Sequence, residues 1–147
     1  MYSMKFFLSA SFSSQTDTTG KVKAAYRKDI EALIQSLEEY GHEIFCALKS
    51  ENWKMAVGDP VAVLHSDLDE IDNCEIYVAI LSDHVSAGVQ FETGYAVARK
   101  KRIIMASPAG QTLGWTNNAL TGFENVSNVN FEFYDELANQ IQHLVSR

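Results

Sequence analysis

The stretch GVQFETGYA at residues 88–96 contains a glutamate whose position suits chemistry. Glu92 follows the apolar run EIYVAIL, which has the composition of a buried strand, and it lies near the start of a predicted helix. The dipole and free N–H groups of a helix N-terminus stabilise a carboxylate, so we expect Glu92 to be ionised. An ionised carboxylate can act as a nucleophile or stabilise a developing cation. Position alone is also consistent with an acid that only stabilises its helix.

A second candidate acid, Asp67, lies in the run SDLDEID just before the same apolar strand. An acidic run on a helix is usually a solvated face, and this interpretation suits Asp69 and Glu70. On the helical wheel, however, Asp67 lies beside the apolar residues Leu64 and Leu68. The pattern therefore also allows Asp67 to point towards the sheet.

Hydroxyl and aromatic residues in loops are further candidates for binding. Ser9, Ser11, Ser13 and Ser14 crowd the end of the first predicted strand and the loop after it. They could contact a phosphate or sugar, or could be ordinary polar loop residues. Trp53 lies in a polar loop, where it could stack on a base or pin the loop to the domain. The sequence contains no GxGxxG or Walker pattern and no histidine spacing typical of a metal site.

Apolar periodicity predicts strands that alternate with helices. We expect strands at 4–10, 42–48, 75–81, 102–107 and within 126–133, and helices at 21–40, 60–72, 89–101, 134–145 and, in short form, 114–121. Such alternation predicts one α/β domain over residues 1–147, Rossmann- or flavodoxin-like, with a parallel sheet of about five strands and helices on both faces. With the common strand order 2-1-3-4-5, a ligand would bind beyond the carboxyl ends of strands 1 and 3.

Composition excludes several classes of protein. The formal net charge of −7 argues against a binder of nucleic-acid polymers, which needs a basic face. No apolar run is long enough to span a membrane. Cys46 and Cys74 show no metal-ligand or redox spacing, and nothing indicates a signal peptide, so we expect a cytoplasmic protein without a metal or cofactor.

Three segments together resemble the nucleoside 2-deoxyribosyltransferase-like superfamily: FLSASFS, HSDLDEIDNCEIYVAIL and SAGVQFETGYAVARKKRII. The resemblance covers about residues 4–107. It implies a Rossmann-like enzyme that assembles as a homodimer or higher homo-oligomer and acts on a small nucleoside or nucleotide. It also implies that Glu92 attacks the anomeric carbon of the sugar, and that Asp67 orients the sugar or moves a proton to the departing base.

The resemblance also suggests which substrate is bound. Transferases of the superfamily carry an aspartate six residues before the nucleophile, whereas this chain has Ser86, as the nucleotide N-glycosidases do. A serine at a helix N-terminus suits a 5′-phosphate better than a second carboxylate does. The resemblance therefore implies a nucleoside 5′-monophosphate, with Ser9, Ser11, Ser86 and Gly88 on the phosphate side of the site.

Aromatic residues are the expected contacts of the base, and one of them marks a departure from the superfamily. Trp53 or a strand-1 aromatic such as Phe7 would contact the base. The tyrosine that usually orients the nucleophile from strand 1 is replaced here by Phe6 and Phe7. Besides N-glycosidase activity, the sequence leaves open a base-exchanging deoxyribosyltransferase, a nucleotide-binding domain without turnover, and a TIR-like NAD glycohydrolase.

Overall fold

The computed structural model describes residues 2–11, 15–54, 58–81 and 85–147. In chain order the elements are β1 (Lys5–Ala10), α1 (Ala24–Glu39), β2 (Glu43–Cys46), α2 (Ala47–Ser50), α3 (Pro60–Asn73), β3 (Ile76–Ile80), α4 (Ala87–Ala98), β4 (Arg102–Pro108), α5 (Trp115–Leu120), β5 (Val126–Phe131) and α6 (Tyr134–Val145). The alternating α/β pattern predicted from the sequence is confirmed.

The five strands form one parallel sheet in the order β2-β1-β3-β4-β5, as predicted. All five residues of β3 are buried, as expected for a strand covered on both faces. In the register of β1 and β3, Phe7 lies opposite Tyr77 and Ser9 lies opposite Ala79. The carboxyl ends of β1 and β3 therefore meet at the point where the strand order reverses.

Two apolar clusters fill the space between the sheet and its helices. Successive residues of a strand point to opposite faces, so Phe6 and Leu8 join one cluster while Phe7 joins the other. The first cluster includes residues of α1 and α6, and the second includes residues of α3 and α4. Within the described ranges, no helix is both long and apolar enough to cross a membrane.

Side-chain caps determine where the two helices that carry Asp67 and Glu92 begin. The Asp59 carboxylate accepts a hydrogen bond of 3.2 Å from the N–H of Val61, and Pro60 follows at the first helical position, so α3 begins where predicted. The Ser86 hydroxyl accepts from the N–H of Val89 at 3.3 Å. This cap starts α4 at Ala87, two residues earlier than the apolar pattern predicted.

One element, α2, was not predicted. The sequence suggested a strand over 42–48, but β2 ends at Cys46 and the chain turns directly into α2. Asn52 and Trp53 then adopt positive φ values of 57° and 59°, which reverse the chain after the helix. Because α2 directly follows the last residue of β2, α2 and Glu51 lie at the carboxyl end of the sheet.

Candidate active site

A cleft of about 170 Å³ opens at the carboxyl ends of β1 and β3, where the topology predicted a binding site. Its described lining comes from β1 (Ser9, Ala10), from α2 and its end (Ala47, Leu48, Glu51), from α3 (Val63, Leu64, Asp67) and from α4 and its cap (Ser86, Gly88, Val89, Glu92). We call it the switch-point cleft. A larger and more open depression of about 440 Å³ lies between β5 and α6, but its described lining contains no acidic residue.

Glu92 and Asp67 lie side by side in the switch-point cleft. Both are buried, at 9% and 8% exposure, and their carboxyl groups are hydrogen-bonded to each other. The Ser9 hydroxyl donates a second hydrogen bond, of 2.7 Å, to Oε1 of Glu92. The structure therefore brings together residues from β1, α3 and α4 that the sequence offered as separate candidates.

The electrostatics of the pair differ from the sequence-based expectation for Glu92. Burial raises the pKa of Glu92 to about 7, with a further increase from the charge of Asp67, although the Ser9 hydrogen bond acts in the opposite direction. The prediction of a first-turn carboxylate kept ionised by the helix dipole is wrong. Glu92 is the sixth residue of α4, beyond the first turn, where the free N–H groups are out of reach.

The pKa of Asp67 is raised as well. Burial raises the pKa of Asp67 to about 6, and the nearby charges of Glu51 and Glu70 raise it further, while the hydrogen bond with Glu92 lowers it. Two buried carboxyl groups in contact cannot both ionise readily, so they retain one proton between them near neutral pH. Such a pair can supply one nucleophilic carboxylate and one proton donor in the same cleft.

Ser86, Gly88 and Ser11 lie around the start of α4. Ser86 caps the helix and lines the cleft together with Gly88. The N–H of Ser86 donates to the hydroxyl of Ser11 at 3.4 Å, and Ser11 is fully buried, so Ser11 supports the cap and is not part of the described lining. Among the described residues, a Cβ atom at position 88 would meet only Ser86 Oγ, at 3.8 Å, so their packing does not require a glycine here.

The two aromatic candidates do not lie in the cleft. Phe7 is 0% exposed, and its ring stacks on that of Tyr77 with the centroids 5.6 Å apart. Trp53 is only 5% exposed and packs in the first apolar cluster, with the guanidinium of Arg27 5.2 Å from its ring centroid. The expectation of an exposed tryptophan that stacks on a base is wrong, and the alternative interpretation, that Trp53 pins its loop to the domain, describes the structure.

Some residues of the site were missed by the sequence analysis, and others lie beyond the description. Glu51 adds a third carboxylate to the cleft, but its stretch of sequence had no periodicity that could reveal the turn of α2. Ser13 and Ser14 lie outside the described residues. Across the described ranges, no group of three or more histidine, cysteine or acidic residues could hold a metal ion.

The fold and the cleft define a class: a doubly wound α/β protein with a buried pair of carboxyl groups at its topological switch point. The sequence profile of the family described as Nucleoside 2-deoxyribosyltransferase matches residues 19–130. The chain belongs to this family and is accordingly an enzyme that acts on N-glycosyl bonds. A comparison with curated protein sequences finds no match.

Solved structures share the fold at low sequence identity. The chain is similar to the CMP N-glycosidase BcmB of Clostridium botulinum, with 24% identity, a TM-score of 0.73 and coverage of 95% of this chain and 98% of that one. It is similar to BlsM, with 24% identity, a TM-score of 0.76 and coverage of 98% and 94%. A 2-deoxyribosyltransferase of Bacillus psychrosaccharolyticus has 19% identity, a TM-score of 0.63 and coverage of 92% and 90%.

Proposed function

We propose that the protein cleaves, or transfers through a glycosyl-enzyme intermediate, the N-glycosidic bond of a (deoxy)nucleoside 5′-monophosphate, with Glu92 as the nucleophile. The observation that carries this proposal is the buried, hydrogen-bonded pair of Glu92 and Asp67 in the switch-point cleft. Cleavage of an N-glycosidic bond builds positive charge on the sugar and leaves a base that needs a proton. A pair of carboxyl groups that shares one proton supplies both a carboxylate for the charge on the sugar and a proton for the departing base.

The shared proton rests mainly on Glu92, whose pKa of about 7 is above the value of about 6 for Asp67. In the proposed reaction this proton moves across the hydrogen bond to Asp67, and the pair is active once Glu92 is ionised. A carboxylate oxygen of Glu92 forms a bond to the anomeric carbon as the bond from that carbon to the base nitrogen breaks, and the proton of Asp67 passes to the base. The covalent intermediate is then released by water, or by a second base in a transfer reaction. The hydrogen bond of Ser9 holds Glu92 in place, so we assign Ser9 to the nucleophile and not to the phosphate.

The phosphate would lie at the start of α4. Ser86 lines the cleft there, and its hydroxyl can donate to a ligand while it accepts from the N–H of Val89. The positive end of the α4 dipole favours an anion at this place. The similar C. botulinum enzyme is a CMP N-glycosidase, which supports a monophosphate as the substrate here.

A nucleoside without a phosphate is the second candidate substrate. The described lining of the switch-point cleft contains three carboxylates, those of Glu51, Asp67 and Glu92, and neither lysine nor arginine. A phosphate in such surroundings meets repulsion that a neutral nucleoside does not. This observation favours a base-exchanging deoxyribosyltransferase, and the choice between the two depends on how strongly Ser86 and the start of α4 bind the anion.

We also propose that the enzyme is a cytoplasmic homodimer or higher homo-oligomer. Trp115, at the start of α5, is 87% exposed, and Phe91, on α4, is 50% exposed. Large aromatic side chains of this kind are the usual anchors of a protein interface. The two cysteines, Cys46 and Cys74, are free and buried, which suits a reducing compartment. Light scattering after gel filtration, with Trp115→Ala for comparison, tests the oligomeric state.

The activity is tested by chromatography of released bases. The protein is incubated with deoxy- and ribonucleoside 5′-monophosphates, with the parent nucleosides and with NAD, each with and without a second free base. We expect base release from a monophosphate by the wild type and by Glu38→Gln, an exposed control on α1, but not by Glu92→Gln. Exchange that needs the second base would instead identify a transferase, and NAD consumption a glycohydrolase of NAD. Nucleotide binding without any release would refute the enzymatic proposal.

A further inference from the structure

We infer that Glu51 selects the base of the substrate, because its carboxylate accepts hydrogen bonds from a base with an exocyclic amino group and disfavours uracil and thymine. This inference rests on the proposed function and names the class of base that the switch-point cleft takes. The aromatic residues that the sequence offered as contacts of the base, Phe7 and Trp53, are buried outside the cleft. The base therefore meets other residues of the lining.

The strand order gives the switch-point cleft a direction. In the sheet β1 lies between β2 and β3, so the cleft extends from α2, which follows β2, across the end of β1 to the start of α4, which follows β3. The proposed phosphate position is the start of α4, and Glu92 lies beside the end of β1, where it accepts from Ser9. With the anomeric carbon at Glu92, the base extends towards α2. Glu51, the residue that follows α2, lines this end of the cleft.

One face of α3 supplies an apolar wall for the base. Val63 and Leu64 precede Asp67 by four and three residues, so the three side chains share one face of the helix, and all three line the cleft. A base that takes its proton from Asp67 therefore lies next to these two apolar side chains. Leu64 is 45% exposed, which leaves its side chain accessible to the face of a planar ring. From the α2 side, Ala47 and Leu48 complete this apolar end of the cleft.

Glu51 is the polar residue of the described lining at this apolar end. Its side chain is partly buried, and among the described residues neither a hydrogen bond nor an ion pair occupies its carboxylate. Asp67 and Glu92, in contrast, are hydrogen-bonded to each other, and Glu92 also accepts from Ser9. The acceptor oxygens of Glu51 therefore remain available to a ligand, and an apolar end with one polar group is the usual composition of a site that fixes the orientation of a ring.

The chemistry of a carboxylate determines which bases Glu51 accepts. An ionised carboxylate can only accept hydrogen bonds. Cytosine, adenine and guanine each present an exocyclic amino group, which donates, and guanine adds a ring N–H beside it. Uracil and thymine present one ring N–H between two carbonyl oxygens, and a carboxylate repels both oxygens. A hydrogen bond to a charged acceptor favours an amino base over its oxo counterpart about tenfold or more.

The first test compares substrates that differ at the amino group: the 5′-monophosphates of cytidine and uridine, those of guanosine and inosine, and their deoxy forms. In the pair that the protein cleaves, kcat/KM should be about tenfold or more higher for the amino member. Glu51→Gln should reduce this ratio to about threefold or less, because an amide donates as well as accepts, whereas Glu38→Gln, an exposed change on α1, should preserve it. The Glu51 charge also acts on Asp67, but this effect is common to both members of a pair and leaves their ratio unchanged.

The second test measures binding without turnover. Calorimetry of Glu92→Gln with the same pairs of nucleotides should show tighter binding of the amino member, and addition of Glu51→Gln should remove this preference, with thermal melting to verify that both variants fold. Absent, equal or reversed binding of the two members, or a preference that survives Glu51→Gln, would overturn the inference. Absence of base release by the wild type, together with a binding preference that depends on Glu51, would refute the proposed function alone.

Discussion

The pH dependence of stability tests the buried carboxyl pair without any substrate. The pKa of Glu92 rises from an ordinary value of 4.5 to about 7, mainly through burial. A carboxyl group whose pKa is raised by folding holds its proton more tightly in the folded state. Its contribution to stability is therefore complete below about pH 4.5 and is lost as the pH rises through about 7.

The size of this effect follows from the pKa difference. One pKa unit corresponds to about 1.4 kcal/mol, so a rise from 4.5 to about 7 gives about 3 kcal/mol. Glu92→Gln removes this term because an amide does not ionise, while its oxygen can still accept the hydrogen bond from Ser9.

Urea denaturation of the wild type and Glu92→Gln at a series of pH values measures the difference directly. The free energy of unfolding of the wild type, relative to that of the variant, should fall by about 3 kcal/mol between about pH 4 and about pH 8. The free energy of unfolding of Glu38→Gln, an exposed change on α1, should show the same pH dependence as that of the wild type. If the curve of Glu92→Gln also runs parallel to the wild type, Glu92 does not hold a proton because of folding and the description of the pair is wrong.

Three further substitutions probe the rest of the cleft. Asp67→Asn should lower kcat about a hundredfold or more, because the departing base loses its proton donor, and should lower the pKa of Glu92; base-release kinetics and carbon-13 NMR measure these effects. Glu51→Gln should lower the pKa of Asp67, since the Glu51 charge raises it, and an unchanged NMR titration of Asp67 would contradict this. Ser86→Ala should cost about 1 kcal/mol of stability through loss of the α4 cap, and should raise KM for a monophosphate but not for its nucleoside. Equal changes in both KM values would place the phosphate elsewhere.

Much of the fold follows from short-range features of the sequence. Apolar periodicity gives the strands and helices, and the Asp59-Pro60 start of α3 appears in the structure as predicted. Alternation of strands and helices leads to a parallel sheet, because each crossover needs a helix that packs back on the sheet. The location of a site at the ends of strands 1 and 3 then follows from the topology alone.

Where local features compete, the sequence was less reliable. The turn of α2 follows strand 2 without a periodic signal, so Glu51 was not predicted as a residue of the cleft. Trp53 is a large aromatic in a polar loop, and the sequence could not say whether its ring faces water or the core. The structure decides this by packing the ring against the first apolar cluster, where burial of an aromatic surface is favourable.

The sequence by itself determined the parts of this protein: one α/β domain, two candidate acids on either side of a buried strand, and hydroxyl residues at the strand ends. Only the tertiary structure decided that Asp67 contacts Glu92 and that Ser9 donates to Glu92. The Ser9–Glu92 bond joins positions 83 residues apart in the chain. Local pattern cannot specify such a contact, because the burial and the nearby like charges that raise the pKa values of both acids arise only when separate elements pack together.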